Sequence, residues 1–555
     1  MQFFKKNFLD ILFLGFSLIT LFLFFNHFKL YLDVSMADET VYMQRLNLKI
    51  WQLIGSFAPI YTLTYKFFHC FIKDYINLHH FAIISLSWVP SVGLYLFLRL
   101  KKFPFIIAAY LAWALFLSSF IVAFDWWPRV SHYSLFLIFI FFSWLPKYTQ
   151  RTSKIFLLSA CFALFMAFVR PEFFMSSIAL FTLAFCTFLH ERYKNKITDK
   201  LLTVREKIFL VGFFICIALM TLAWHSPLYG GRMYYAMGQH YTFNTIKWNH
   251  KKDASDFIYW EQIFKNKFGN SETLTDMYKA NPKELQRHIT ENFNSYITQI
   301  FDFTTELFFP KFLSKIHFGI KWLLLIAVFL ALLYQTGFEQ YKQVFVEKFK
   351  LHFIFICCII ILVGASVVAS IIIYPREHYY ILQLAFIYYL FYLLFIPFIE
   401  NNTFAFKYQK LLNALILLSM IFATPNIKSY PRYNSFYHKY NTPVYLPYIY
   451  AVRDLKIVKP TTFLVSEILP VYMGKNFKVN IQFLKDRPFD QLMKEQDIGM
   501  MYISDVLLKD KRFSEDTTWI KFINNYENLG WVKLQLPDRK EYIIYRKDLL
   551  PNHAK

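Results

Sequence analysis

A chain of 555 residues with 56% hydrophobic and 21% aromatic side chains, only 14 glycines and a mean hydropathy of +0.33 is not an ordinary soluble domain. The formal charge of +23 invites a nucleic-acid partner, but the basic residues lie between hydrophobic runs and in the tail, without a compact patch or a nucleic-acid motif. Cys70, Cys161, Cys186, Cys216, Cys357 and Cys358 all sit in apolar segments, which excludes a disulfide framework or a Cys-rich zinc site in the long loop and the tail.

The composition therefore predicts a polytopic α-helical membrane protein. Lys5 and Lys6 precede the first apolar run, and Asn26-His27-Phe28-Lys29 is a poor cleavage site, so this run reads as a retained signal anchor. A span needs about twenty apolar residues. That window selects 8–28, 81–99, 104–124, 130–146, 155–170, 172–190, 207–226, 319–337, 351–373, 379–399 and 408–424, about eleven transmembrane helices. With the N-terminus cytoplasmic, Arg99, Lys101 and Lys102 face inward, as do Lys147, Arg151 and Lys154. The same holds for the basic run from Arg192 to Lys207, for Lys342, Lys348 and Lys350, and for Lys407 and Lys410. The outer face then receives 29–80, 125–130, 170–172, 227–318, 374–378 and the tail from 425.

The first outer loop carries Asp33, Asp38 and Glu39 within seven positions of a membrane boundary. A carboxylate there is costly unless solvated, paired or used in chemistry. The same loop continues through Pro59, Tyr61 and Tyr65 to Lys73 as an apolar stretch broken by polar residues, expected to form helices at the interface. The loop 227–318 opens on Pro227, Gly230 and Gly231, then shows helical spacing with Asn281-Pro282 as punctuation, and reads as a helical cap. Prolines 425, 431, 443 and 447 mark a linker over 425–447 after a membrane domain of 1–424. Beyond it, β-rich runs at 461–465, 477–483, 500–503, 531–536 and 542–545 alternate with helix-like stretches at 489–496 and 518–526, so 448–555 is expected to be an extramembrane α/β domain.

Four outer stretches could carry chemistry: the acidic loop, Asp125 to Tyr133 with Arg129 and His132, Arg170-Pro171-Glu172, and Tyr374 to Tyr380 with Arg376 and His378. Together they suit displacement at an anomeric carbon with a polyprenyl phosphate leaving group. One carboxylate takes the proton of an acceptor hydroxyl while arginines neutralise the departing phosphate. Each stretch also has a plain structural reading, as an interfacial ion pair or a helix-hairpin closure. His225, His240 and His317 lack ligand spacing, so no protein metal site is assigned to them. Magnesium or manganese at the acidic loop stays open, because Asp and Glu are suitable ligands without a fixed pattern here. A polysaccharide ligase or polymerase, with its essential residues in 227–318, is the first rival. A transporter and a noncatalytic scaffold follow.

Ala37-Asp38-Glu39-Thr40-Val41-Tyr42 after the first span, Ala58-Pro59-Ile60-Tyr61 later in the loop, and Arg170-Pro171-Glu172 resemble the protein O-mannosyltransferase and lipid A aminoarabinose transferase branch of the GT-C superfamily. The resemblance is best over residues 8–190. It implies an inverting glycosyltransferase of a bacterial inner membrane, with a polyprenyl-phosphate sugar donor and an extracytoplasmic acceptor. Carried over by position, Asp38 is the catalytic acid of the pair and Glu39 its neighbour, with Asp33 as alternative base. Arg129, His132, Arg170, Glu172, Arg376, His378 and Tyr61 are the residues expected around the substrate. The proline motif lacks the preceding histidine and the second proline common in that branch.

Overall fold

The computed structural model describes residues 2–31, 33–34, 38–50, 53, 58–116, 129–195, 203–225, 232–249, 257, 259–308, 318–401, 445–457, 459–465, 470–474, 477–481, 487–536 and 540–551. Six helices among them are long and apolar enough to cross a membrane. They run Tyr75–Leu100 (α4), Val130–Tyr148 (α6), Phe173–Asn195 (α8), Val204–Trp224 (α9), Phe338–Ile372 (α15) and Glu377–Glu400 (α16). Four more expected spans fall on helices whose described apolar parts are shorter: Gln2–Tyr31 (α1), Phe105–Phe116 (α5), Thr152–Ala167 (α7) and Phe318–Thr336 (α14). The segment 408–424 and most of the linker lie outside the described residues.

Ion pairs tie one end of this bundle together. Arg99 at the end of α4 meets Asp10 of α1 at 2.6 Å, Arg151 before α7 meets Glu191 of α8 at 2.9 Å, and Lys154 meets Glu206 of α9 at 2.9 Å. Lys348 of α15 meets Glu400 of α16 at 2.8 Å. Arg99, Arg151, Lys154 and Lys348, all expected to face inward, lie at this one end. The opposite end carries the described residues of the four candidate stretches.

The expected interfacial helices of the first loop are two. Asp38–Gln44 (α2) is short, and Pro59–Phe71 (α3) begins with proline at its first turn, where a missing amide costs nothing. One face of α3 buries Tyr61, Thr62 and Tyr65, while Phe67 and Phe71 are exposed on the other. The 227–318 loop forms a helical cap of Arg232–Trp248 (α10), Trp260–Phe268 (α11), Leu274–Ala280 (α12) and Pro282–Phe308 (α13). Asn281 ends α12 and its side chain accepts the amide of Glu284 at 3.2 Å, so the Asn-Pro pair stops one helix and starts the next. The cap has its own core of Met237, Tyr241, Phe264, Phe268, Met277 and Leu285, with Ile372 and Ile373 packed against it. The breaker residues 226–231 lie outside the described residues.

The tail holds a five-stranded sheet in the order β2-β1-β3-β5-β4, from Thr461–Val465 (β1), Phe477–Ile481 (β2), Ile498–Ile503 (β3), Trp531–Gln535 (β4) and Tyr542–Arg546 (β5). β1 is parallel to β2 and β3, whereas β5 is antiparallel to β3 and β4. Alternation along each strand divides the burial. Phe463, Met500, Ile543 and Tyr545 join the main core, while Leu464, Met501 and Ile544 pack against Phe489, Phe513, Trp519 and Phe522. The helix Leu446–Asp454 (α17) lies on the first face through Tyr448, Ile449 and Val452. The sheet therefore shares a hydrophobic core with the membrane bundle.

Candidate functional site

Glu39 is the centre of the site. It is 1% exposed, one residue into α2. Tyr61 and Tyr65, one helical turn apart on α3 and so on one face, both donate to its Oε1, Tyr61 at 2.6 Å. The amide of Arg129 donates to Oε2 at 3.2 Å. Burial lifts the Glu39 carboxyl above its ordinary range, against the two phenols and the Arg129 charge, which pull it down. Burial and the neighbouring carboxylate hold the Tyr61 and Tyr65 phenols well above theirs, so both remain proton donors. Glu39 thereby fastens α2 to α3 and to the start of α6.

Arg129 is itself 1% exposed, and Ser131 and His132 behind it are fully buried. Arg170, between α7 and α8, donates to the Ser131 hydroxyl and pairs with Glu172. Its guanidinium lies 5.0 Å from the ring centre of Tyr379 in α16. Arg376 is the residue preceding α16, half-buried, in the turn that carries Tyr374. The cap holds that turn from the other side. His240 stacks on Tyr374 with ring centres 5.5 Å apart, and His288 and Asn292 meet the Ile373 carbonyl at 3.0 and 3.1 Å. Residues from the loop, α6, the α7–α8 junction and α16 are thus linked in a continuous run of contacts at one end of the bundle.

Asp33 does different work. Its carboxylate accepts the amides of Tyr445 at 2.6 Å, Leu446 at 3.0 Å and Val34 at 2.9 Å, so it caps α17 and anchors the tail. Nearby, Asp74 accepts from Asn77 at 2.9 Å as N-cap of α4 and pairs with Arg453 of α17 at 2.8 Å. Arg453 also donates to the Tyr472 carbonyl at 2.8 Å. The Tyr472 hydroxyl then reaches Nδ1 of His79 at 3.3 Å. Burial, followed by the charges of Glu39 and Asp33, pushes the Tyr472 phenol well above its usual range.

Comparison with family models, curated proteins and solved structures finds no match to this chain. The site stands on its own geometry. Asp38 is placed as the first residue of α2, but its side chain, like those of Glu377 and His378, lies outside the described residues, as does Asp125 altogether. Among the described residues no three His, Cys, Asp or Glu side chains gather as a metal site. The sequence reading missed Tyr65, His79, His80 and Tyr472. Tyr65 was findable, because it sits four residues after Tyr61 on the same helix. His79 and His80 are each 1% exposed at the start of α4, and His79 lies in the field of Arg129. Tyr472 gave no sequence signal, since only folding brings the tail to the first loop.

Proposed function

We propose that this chain is an inverting glycosyltransferase that moves a sugar from a polyprenyl phosphate to an acceptor outside the cytoplasm, from a bacterial inner membrane with the tail facing the periplasm. The observation that supports this reading best is the gathering of α2, Arg129, Arg170 and the Arg376 turn at the less basic end of the bundle. Asp38 is the general base: it takes the proton as the acceptor oxygen attacks the anomeric carbon. The bond from that carbon to the phosphate oxygen breaks, and polyprenyl phosphate leaves with the electron pair. Arg376 and Arg170 offset the phosphate charge. Glu39, enclosed by two tyrosines and an amide, acts on α2 and fixes where Asp38 stands.

The test incubates purified protein with a panel of polyprenyl-phosphate sugars and follows release of polyprenyl phosphate. Positioned acid–base groups typically contribute about 10²–10⁴-fold, so Asp38→Asn should lose at least about 10²-fold while Asp33→Asn retains its chemistry if the tail stays docked. Wild-type turnover by Asp38→Asn removes the base from this residue, and no turnover of any donor by wild type removes the transferase reading.

A further inference from the structure

Six of the described cations at the basic end of the bundle fall into two kinds. Arg99, Arg151, Lys154 and Lys348 have carboxylates, namely Asp10, Glu191, Glu206 and Glu400. Lys101 and Lys147 have aromatic rings instead. Lys101, immediately after α4, places its ammonium 5.9 Å from the ring centre of Phe97 and 5.4 Å from that of Tyr392 in α16. Lys147, near the end of α6, lies 5.0 Å from the ring of Trp144. Neither lysine has a carboxylate partner among the described residues.

Two rings face an ammonium but accept none of its three protons in strong hydrogen bonds. Burial, and then the charge of Lys147, push Lys101 down to about 8. It therefore stays mostly protonated at neutral pH, in the field of a second lysine and near His352 of α15. A partly buried cation next to a like charge calls for an anion. Trp144 is 58% exposed on the outside of α6, and tryptophan is enriched where lipid headgroups meet a bundle.

We propose that the junction of α4, α6 and α16 at the basic end binds an anionic phosphate group, with Lys101 as the inner contact and Lys147 as the outer one. The ligand chemistry is a phosphate mono- or diester. Its source is the headgroup of an anionic phospholipid or a free phosphate. The site is remote from Glu39 and independent of the transferase reading.

Native mass spectrometry of the full chain in a nonionic detergent, with phosphatidylglycerol and phosphatidylcholine added singly, reads the site directly. Phosphatidylglycerol is expected to bind in preference, and Lys101→Gln and Lys147→Gln each to weaken it about fivefold, from the usual contribution of a lysine near an anionic surface. Lys101→Arg should retain binding. Excess inorganic phosphate that displaces the lipid identifies the free anion as a ligand of the same site, and failure to displace identifies the lipid headgroup. Lys147 lies at the surface, so its variant carries the test if Lys101→Gln does not fold. Equal binding of both lipids, or variants that bind like wild type, overturns the proposal.

Discussion

Replacing Tyr61 with phenylalanine removes one of three hydrogen bonds into the Glu39 carboxyl while leaving the packing volume almost unchanged. The cost depends on the proton. A hydrogen bond to a charged acceptor is worth about 1.5–3 kcal/mol, and one between neutral groups about 0.5–1.5 kcal/mol. Burial raises the Glu39 carboxyl above its ordinary value of 4.5. The folded chain therefore keeps the proton at pH values where the unfolded chain has lost it. Its contribution to stability is whole below 4.5 and is lost as pH rises through the folded value. Tyr61→Phe is expected to cost about 0.5–1.5 kcal/mol on the acid side of this window and about 1.5–3 kcal/mol beyond it. Glu39→Gln should flatten the pH dependence. Equilibrium unfolding in mixed micelles, followed by tryptophan fluorescence from acid to mildly alkaline pH, measures both. A Tyr61→Phe penalty that is the same at every pH, or an undiminished slope in Glu39→Gln, refutes the reasoning.

Asp33→Asn replaces a charged acceptor of three backbone amides with a weaker one, and should cost about 1–3 kcal/mol; limited proteolysis should then cut the chain faster between bundle and tail. In Arg170→Lys the single ammonium has no fork to reach both Ser131 and Glu172 while staying over the Tyr379 ring, so thermal unfolding should report a loss of about 1–2 kcal/mol. In the cap, a β-carbon at Gly238 would overlap the Trp260 ring, and Gly238→Ala should destabilise α10 and α11 by about 1–3 kcal/mol. Hydrogen exchange over 232–268 is the measurement, and unchanged protection there would contradict the close approach.

Sequence reasoning worked best where the physics is local. Apolar length marks a span, lysines and arginines mark its ends, and strand alternation marks a sheet; all five expected β-runs are strands of one sheet. Asn281-Pro282 punctuated the cap for equally local reasons. Within the site, the acidic loop and the arginines of three distant turns were legible as unusual charges at membrane boundaries.

The division of labour among those acids was a different matter. Asp33 and Glu39 are alike in type and six positions apart. One caps a helix that begins more than 400 residues later, and the other is enclosed by Tyr61, Tyr65 and Arg129. Likewise, nothing near Tyr472 in the chain announced that it would meet His79. Composition and periodicity by themselves determined that the chain is helical, membrane-embedded and asymmetric in charge, because those properties are sums over neighbours along the chain. Which carboxyl is structural and which is buried beside a cation was decided only by the fold, because a carboxyl's partners and its exposure to water depend on contacts that sequence distance does not encode.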